Sequence, residues 1–249
     1  MLKDFLASLG MFTKIKVRDS VFSEGRGPFV LCWFPLDGAL CGSLSAAVFY
    51  GLTLLAPDRM LSGAVMTLSL FVVSGFLHLD GFMDCADSLL SSRDREGKLR
   101  ILKDSNVGAF AVISVALLLM ILFSSMSAIA DRGGAWQMFI AVPFASRAFT
   151  ALILFTLRPI ENNRGLLYYF GNGRTPAHVI CVALEFAAAL AAGFVISPAV
   201  AAVIASGAAV SFIFAKTAEA LLGGINGDVI GAGVIIFEAV SYLIYAFTL

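Results

Sequence analysis

Three aspartates spaced along one stretch of the sequence form the pattern best suited to chemistry. Asp80, Asp84 and Asp87 stand at i, i+4 and i+7, so on a continuous helix their side chains lie within about 60° of one another. Carboxylates this close repel each other unless a cation lies between them, and oxygen ligands alone suit Mg²⁺ or Mn²⁺, which bridge to substrate phosphates. The spacing therefore predicts a magnesium site for phosphate chemistry, with a solvated acidic helix end as the plain alternative.

His78, two residues before the first aspartate, is a second candidate for chemistry. On the same helix its side chain points almost opposite to Asp80, so the two residues share a metal only if the helix breaks between them. A zinc site built from His78, Cys85 and an aspartate is an alternative, but this spacing is not diagnostic of zinc. A catalytic role and a hydrogen-bonded structural role for His78 are both open at this stage.

A basic segment follows the aspartates and ends at an uncharged stretch. The alternating charges of residues 93–100 are typical of a solvated surface helix. Residues 103–108, with the sequence Lys-Asp-Ser-Asn-Val-Gly, run directly into the uncharged stretch. Basic side chains beside a carboxylate–metal site are what phosphate recognition requires, so this part of the segment is a candidate substrate contact.

Six ionisable residues interrupt the apolar stretches themselves: Asp37, Arg147, Glu185, Lys216, Glu219 and Glu238. Ionisable groups inside a membrane are costly, so each is a functional hypothesis by default. Lys216 and Glu219 are three residues apart and can pair with each other. Glu185 has no chemically suggestive neighbour, and we interpret it as structural.

The elements that must carry these residues are membrane helices. The 249-residue chain is 59% hydrophobic and 14% charged, whereas soluble chains are about 25% charged. Seventeen basic and seventeen acidic residues balance, so no net charge favours a nucleic-acid partner. We predict a single-domain (1–249), all-α, polytopic bundle, which excludes a soluble enzyme and a disulfide scaffold. Seven stretches are long enough to cross a bilayer, at about 31–56, 60–78, 107–130, 135–157, 177–196, 198–222 and 229–249.

The distribution of Lys and Arg predicts which side of the membrane each connection faces. Five basic residues precede the first span, five lie in residues 79–106 and three in 158–176, whereas the alternate connections hold Arg59, Arg132 and none. The positive-inside rule therefore makes 79–106 a cytoplasmic catalytic loop, with the polar loop 223–228 on the same side. Within the N-terminal segment (1–30), apolar residues at helical spacing from Leu2 to Phe12 predict an amphipathic helix at the membrane surface.

Taken together, these motifs resemble those of the cobalamin synthase family, the adenosylcobinamide-GDP ribazoletransferases of bacteria and archaea. The resemblance covers nearly the whole chain and rests on the order and spacing of motifs that are weak singly. The motifs are Phe34-Pro35-Leu36-Asp37-Gly38, the block from His78 to Asp87, Arg93, Lys103-Asp104-Ser105, Val107-Gly108, Ser146-Arg147, and the series from Gly223 to Asp228 with Gly231-Ala232 and Glu238. The chain departs from the family's pattern at Ser88 and Asn226, where glycine and threonine are usual.

The resemblance implies a Mg²⁺-dependent step in assembly of the nucleotide loop of vitamin B12. In that step the 5′-hydroxyl of α-ribazole, or of its 5′-phosphate, attacks the cobinamide-side phosphate of adenosylcobinamide-GDP, and GMP leaves. The implied metal ligands are Asp80, Asp84, Asp87 and Asp228, and one carboxylate or His78 takes the proton from the hydroxyl. The implied substrate contacts are polar residues of the shared motifs, namely Asp37, Arg93, Lys103, Asp104, Ser105, Arg147, Asn226 and Glu238. The implied setting is a prokaryotic inner membrane, with lipid as a partner and a homo-oligomer left open.

Three alternative functions fit parts of the sequence. CDP-alcohol phosphotransferases also place aspartates near helix ends, but there Asp-Gly is followed by Ala-Arg, whereas Phe82-Met83-Asp84 follows here. An ion-coupled transporter would carry its carboxylates near the middle of the bilayer and would show internal repeats, which this sequence lacks. A purely structural membrane scaffold has no need of three aspartates on one helix face.

Overall fold

The computed structural model describes residues 1–160 and 166–249, and this part of the chain is almost entirely helical. It contains eleven α-helices: α1 (Leu2–Phe12), α2 (Gly27–Leu55), α3 (Arg59–Val72), α4 (Leu77–Leu90), α5 (Arg95–Ile101), α6 (Ala109–Arg132), α7 (Met138–Thr156), α8 (Leu166–Gly171), α9 (Pro176–Ile196), α10 (Pro198–Leu222) and α11 (Gly227–Thr248). A short 3-10 helix (Asp19–Val21) and an isolated bridge between Pro159 and Ile225 are the other regular features described. The predicted all-α fold is confirmed.

Six of the helices are long and apolar enough to cross a bilayer, namely α2, α6, α7, α9, α10 and α11. They correspond to six of the seven predicted spans. The seventh, predicted as one helix over about 60–78, is instead the pair α3 and α4, whose axes differ by 93°. The helix stops after Val72 because Gly75 and Phe76 both adopt left-handed backbone angles, with φ of 63° and 67°, and a right-handed helix cannot pass through such residues.

The segment predicted as a catalytic loop, 79–106, is therefore mostly helical. It holds the greater part of α4 and the whole of α5. The periodicity of its charged residues predicted a surface helix over part of this segment, and the structure extends helical order to the aspartates themselves. The candidate catalytic side chains thus sit on a helix whose position is set by packing on both sides.

The centre of the bundle is formed by α7 and α11. In their most apolar stretches 78% and 72% of the residues are buried, against 17% for α9. Phe139, Phe237 and Tyr242 are fully buried between these central helices. Large apolar side chains of α6 and α9, such as Met120 and Leu184, point outward and are exposed on the protein surface. A surface of this kind is matched to lipid rather than to water.

The N-terminal helix α1 packs against α2, and its position at the membrane surface stays a prediction. The guanidinium of Arg26 donates to both carboxylate oxygens of Asp4, at 2.9 and 2.6 Å, and these hydrogen bonds hold the pKa of Asp4 below its ordinary value. Ser8 donates to Asp37 at 2.6 Å across the same interface. The helix itself was predicted correctly, but its polar side chains at these positions face protein.

Helices α2 and α7 approach each other closely at Gly42. A Cβ at this position would lie 2.1 Å from the carbonyl oxygen of Phe139, well inside contact distance. Small residues at helix crossings allow this kind of close approach, which gives van der Waals contact where no hydrophobic driving force acts between helices in lipid. Gly51, about two and a half turns further along α2, has open space around it.

We expect Gly42→Ala to destabilise the protein and Gly51→Ala to leave it unchanged or slightly stabilised. The first substitution forces two helices apart, a steric cost of about 1–3 kcal/mol, whereas the second only improves helix propensity. Thermal unfolding of both variants in the same detergent measures the difference. Equal melting temperatures would contradict the proposed close contact of α2 with α7.

Candidate active site

The candidate aspartates owe their position to the sharp turn between α3 and α4. Phe76 is a non-glycine residue in the left-handed region, a conformation that is retained only where the surrounding structure imposes it. The turn is held from outside by the segment after α1, because the backbone N–H of Lys14 donates to the carbonyl of Val73 at 2.9 Å. The Lys14 side chain also packs where a Cβ of Gly75 would be. The bend directs α4 against α11 and α6.

Helices α4 and α11 cross with their backbones almost in contact. A Cβ at Gly81 would lie 2.9 Å from the backbone oxygen of Asp228 and 3.0 Å from its Cα. One turn further along α11, a Cβ at Gly231 would lie 3.3 Å from the Cα of His78. The two glycines bring the first turn of α11 beside the first turns of α4, and so bring Asp228 to the aspartates of α4.

The crossing gathers negative charge from both helices. Asp84 is half-buried, and it experiences the charges of Asp228, Asp80 and Asp87. Asp228 lies in the first turn of α11, where Asn226 caps the helix by accepting from the N–H of Val229 at 3.0 Å. The Asn226 amide also donates to Asp228 at 2.6 Å, which fixes the direction of that carboxylate. Asn226 is therefore placed as a positioning group for Asp228.

Asp87 is engaged differently from Asp80 and Asp84. Its two oxygens accept from the backbone N–H groups of Gly108 at 2.6 Å and Ala111 at 2.9 Å, at the N-terminus of α6. A carboxylate in this position satisfies free backbone donors and interacts favourably with the helix dipole. Asp87 thus ties α6 to α4. Each of its oxygens still has a free lone pair that could bind a metal, and its role as a metal ligand stays a prediction.

The remaining carboxylates have no cationic partner among the described residues. Among residues 1–160 and 166–249, no Lys or Arg forms a salt bridge with Asp80, Asp84 or Asp228. In the same ranges no three His, Cys, Asp or Glu side chains are arranged to hold a metal ion by themselves. Magnesium is usually held by one or two carboxylates together with waters and substrate phosphates, and a magnesium site at these carboxylates stays a prediction.

The predicted basic contacts lie on the segment that joins α4 to α6. Arg93, Lys103 and Ser105 are exposed and free of ion pairs in the described structure. Asp104 accepts from the backbone N–H and the side-chain amide of Asn106, and these hydrogen bonds lower its pKa. The Asp87–Gly108 contact brings the end of this segment to α4. The assignment of these residues to substrate stays a prediction.

Lys98 and Arg95 of α5 make structural contacts that the sequence did not predict, because the alternating charges of this segment indicate a solvated helix. Lys98 is buried, and its ammonium donates to the carbonyls of Ser88 at 3.2 Å and Leu89 at 2.9 Å, and also to that of Ser91. It thereby satisfies carbonyls at the C-terminus of α4. Arg95 donates to the carbonyl of Leu222 at 2.8 Å, where α10 ends. In the sequence, only the neighbouring apolar residues Ile101 and Leu102, three and four positions after Lys98, indicate that its side chain lies on the buried face of the helix.

Arg147 and Glu238, predicted as substrate contacts, form a buried ion pair between α7 and α11. The guanidinium of Arg147 donates to Glu238 at 2.6 Å, and the hydroxyl of Ser146 donates to the same oxygen at 2.8 Å. Asp37 is fully buried and accepts from Ser8. Arg147 and Glu238 are thus partnered within the protein, whereas the second carboxylate oxygen of Asp37 has no hydrogen-bond partner among the described residues. Lys216 and Glu219 form the predicted local pair.

His78 lies on the opposite side of α4 from Asp80, as its sequence position predicts. Its ring is buried against the edge of Phe34, with ring centroids 5.7 Å apart, whereas Asp80 is exposed. A cavity of about 130 Å³ adjoins this ring and extends to Asp228. His78 therefore does not join the carboxylates of α4 in a common ligand set, and a zinc site with Cys85 finds no support in the described residues.

Fold and site together define the class of protein: a polytopic helical membrane protein with a cluster of carboxylates where helix ends meet. The sequence model of the family described as cobalamin-5-phosphate synthase (CobS) matches residues 4–246. The chain belongs to this family, as its motifs predict.

Curated relatives cover nearly the full length of the chain. A protein named adenosylcobinamide-GDP ribazoletransferase from Clostridium perfringens is 34% identical over 238 residues, which is 95% of this chain and 94% of the relative. Proteins of the same name from Geobacillus kaustophilus and Brevibacillus brevis are each 33% identical, covering 92% and 96% of this chain and 89% and 96% of their own lengths. No solved structure matches the chain.

We expect Lys98→Met to destabilise the protein by about 1–3 kcal/mol, because buried carbonyls at the end of α4 lose their donor. Arg100→Met is the matched control on the same helix, since Arg100 is exposed and its one ion pair within the described part of the chain, with Glu96, is at 3.6 Å. An exposed pair of this kind contributes about 0–1 kcal/mol. Thermal unfolding of both variants in detergent checks the contrast, and a harmless Lys98→Met would show that the capping contact is dispensable.

Proposed function

We propose that the protein catalyses transfer of a phosphoryl-linked cobinamide from adenosylcobinamide-GDP to the 5′-hydroxyl of α-ribazole or its 5′-phosphate. The observation that carries the proposal is the convergence of Asp80 and Asp84 with Asp228 at the crossing of α4 and α11. Membership of the cobalamin-5-phosphate synthase family and the names of the relatives support the same reaction. The enzyme would thus complete the nucleotide loop of cobalamin.

Carboxylates of the crossing would hold Mg²⁺. One or two of Asp80, Asp84 and Asp228 would supply oxygen ligands, and phosphate oxygens and water would complete the coordination. When bound, the ion neutralises charge on the diphosphate as it reacts. The N-termini of α4 and α11 lie beside the carboxylates and add a favourable field for an anionic substrate.

The groups of the protein would position the two substrates and accept a proton. The hydroxyl oxygen of the ribose forms a bond to the cobinamide-side phosphorus while the bond to the bridging oxygen breaks, and GMP leaves with that electron pair. A carboxylate of the cluster accepts the hydroxyl proton. Lys103 and Arg93 on the exposed segment between α4 and α6 would pair with phosphate oxygens, and Asn226 would hold the orientation of Asp228.

We infer that the protein spans a prokaryotic inner membrane and that its active site faces the cytoplasm. The three basic segments lie at one end of the bundle. Arg95 donates to Leu222 just before the 223–228 loop, and Ile225 of that loop pairs with Pro159. Tyr169 in turn donates to Ser23 of the N-terminal segment. The opposite end holds few basic residues, among them Arg59, which lies 3.9 Å from Asp131. This asymmetry supports a cytoplasmic active site by the positive-inside rule, with lipid against the outward apolar faces.

We expect Asp84→Asn to abolish transfer, because the substitution removes a charged ligand from the cluster while preserving its size. The measurement follows GMP and adenosylcobalamin by chromatography, with purified protein in liposomes, adenosylcobinamide-GDP, α-ribazole and Mg²⁺. Addition of EDTA should stop the wild-type reaction.

Asp131→Asn is the matched control for this experiment. Asp131 is exposed near the far end of α6, and its loss should leave activity within about twofold of wild type. Full activity of Asp84→Asn at saturating Mg²⁺ would contradict the assignment of the carboxylate cluster. Transfer that survives EDTA would contradict the metal requirement.

The sidedness makes a separate prediction. Ser105→Cys and Asp131→Cys introduce exposed thiols at opposite ends of α6, whereas the four native cysteines are buried or half-buried. In intact cells a membrane-impermeant maleimide should label Asp131→Cys only, and in inverted vesicles it should label Ser105→Cys only. The reverse pattern would place the site outside the cytoplasm.

A further inference from the structure

A cavity lies immediately behind the carboxylate cluster. Its volume is about 130 Å³, and it is bounded by α1, α2, α4, α7, α8 and α11. Three phenylalanines form much of its wall, and among the described residues that line it only His78 and Asp228 have polar side chains. The phenylalanines are Phe12, Phe34 and Phe170. Asp228 therefore belongs to both the cavity and the acidic cluster.

His78 presents an unsatisfied nitrogen in this cavity. The residue is 5% exposed, and its Nε2 has no hydrogen-bond partner among the residues that the structure describes. The ring is enclosed by Phe34 and Phe12, at centroid separations of 5.7 and 6.5 Å. Buried polar nitrogens are nearly always satisfied, so an isolated one that lines a cavity calls for a ligand atom.

The size and polarity of the cavity indicate which chemical group of the two substrates it can bind. A cavity of about 150 Å³ binds benzene, so this one, at about 130 Å³, has room for one ring of an aromatic base, and the rest of a larger base would extend out of it toward Asp228. Guanine carries several donors and acceptors, and a wall with only two polar side chains leaves most of them unpaired. A lipid chain would leave His78 unpaired. The dimethylbenzimidazole base of α-ribazole is a flat apolar bicycle with a single free ring nitrogen, which can accept one hydrogen bond.

We propose that this cavity binds the base of the acceptor nucleoside, with the Nε2–H of His78 donating to the free nitrogen of the benzimidazole ring. The proposal rests on the transferase function given above and specifies its acceptor site. The base stacks among Phe12, Phe34 and Phe170, and its ribose extends past Asp228 toward the carboxylate cluster. His78 then acts in binding and does not take the proton from the hydroxyl.

Binding of α-ribazole to the full-length protein in detergent, without adenosylcobinamide-GDP, tests the proposal by calorimetry. His78→Phe keeps a ring of similar size and removes the donor, so we expect about tenfold weaker binding. His78→Gln places an amide N–H near the same point and should restore most of the affinity. The KM for α-ribazole should rise in parallel in His78→Phe, while the KM for adenosylcobinamide-GDP stays unchanged.

A second pair of variants keeps the test valid if His78→Phe fails to fold. Phe12→Leu removes an aromatic wall of the cavity, whereas Phe5→Leu removes a ring that packs on Trp33, outside the cavity, from the same helix. Only Phe12→Leu should weaken α-ribazole binding.

Three results would overturn the proposal or its basis separately. Unchanged α-ribazole affinity in both His78→Phe and Phe12→Leu would overturn the base site and leave the transferase function intact. A rise in the KM for adenosylcobinamide-GDP alone would overturn it in favour of a site for the donor nucleotide. Absence of transfer by wild-type protein that still binds α-ribazole would overturn the transferase function instead.

Discussion

The near-contact of the α4 and α11 backbones is the constraint on which the rest of the site depends. Gly81 lies against Asp228 and Gly231 against His78, with no room for a side chain at Gly81. Without this approach the aspartates of α4 would be an acidic helix end with nothing opposite them. With it, one face of α4 joins Asp228 in a carboxylate cluster, while the other face and α11 enclose the cavity at His78. A single helix crossing thus forms both the acidic cluster and the adjoining apolar cavity.

The turn between α3 and α4 makes that crossing possible while leaving few backbone groups without hydrogen-bond partners. Irregular backbone at membrane depth persists only where protein satisfies its polar groups. Here the N–H of Gly75 donates to Phe71 at 2.8 Å, and that of Asp80 donates to Phe76 at 2.9 Å. Lys14 satisfies the carbonyl of Val73 from outside the turn. The N-terminal segment therefore stabilises the bend, and through Phe12 it also closes the cavity.

The sequence predicts the helices well and their contacts poorly. Apolar length determines a membrane span, so six spans were found close to their observed ends. The bend at Gly75–Phe76 was missed, because a left-handed conformation at a phenylalanine has no local signal and is imposed by packing. Lys98 was assigned to solvent for a similar reason, since only the three-dimensional neighbour Ser88 and the end of α4 explain its burial. The motif residues were identified by resemblance, and their grouping required the fold.

Some charged residues of the bundle have charged or hydrogen-bonding partners within the protein, and others do not. This difference distinguishes structural charged residues from candidate catalytic ones. Arg147 and Glu238 neutralise each other in the core, where one without the other would be strongly destabilising. Asp87 is satisfied by backbone donors of α6. Asp80 and Asp84 have no such cationic or backbone partner in the described structure, although they stand beside further negative charge. Like charges gathered without a partner oppose folding, and the proposed cation and substrate phosphates would supply the positive charge and ligands that this crossing lacks among the described residues.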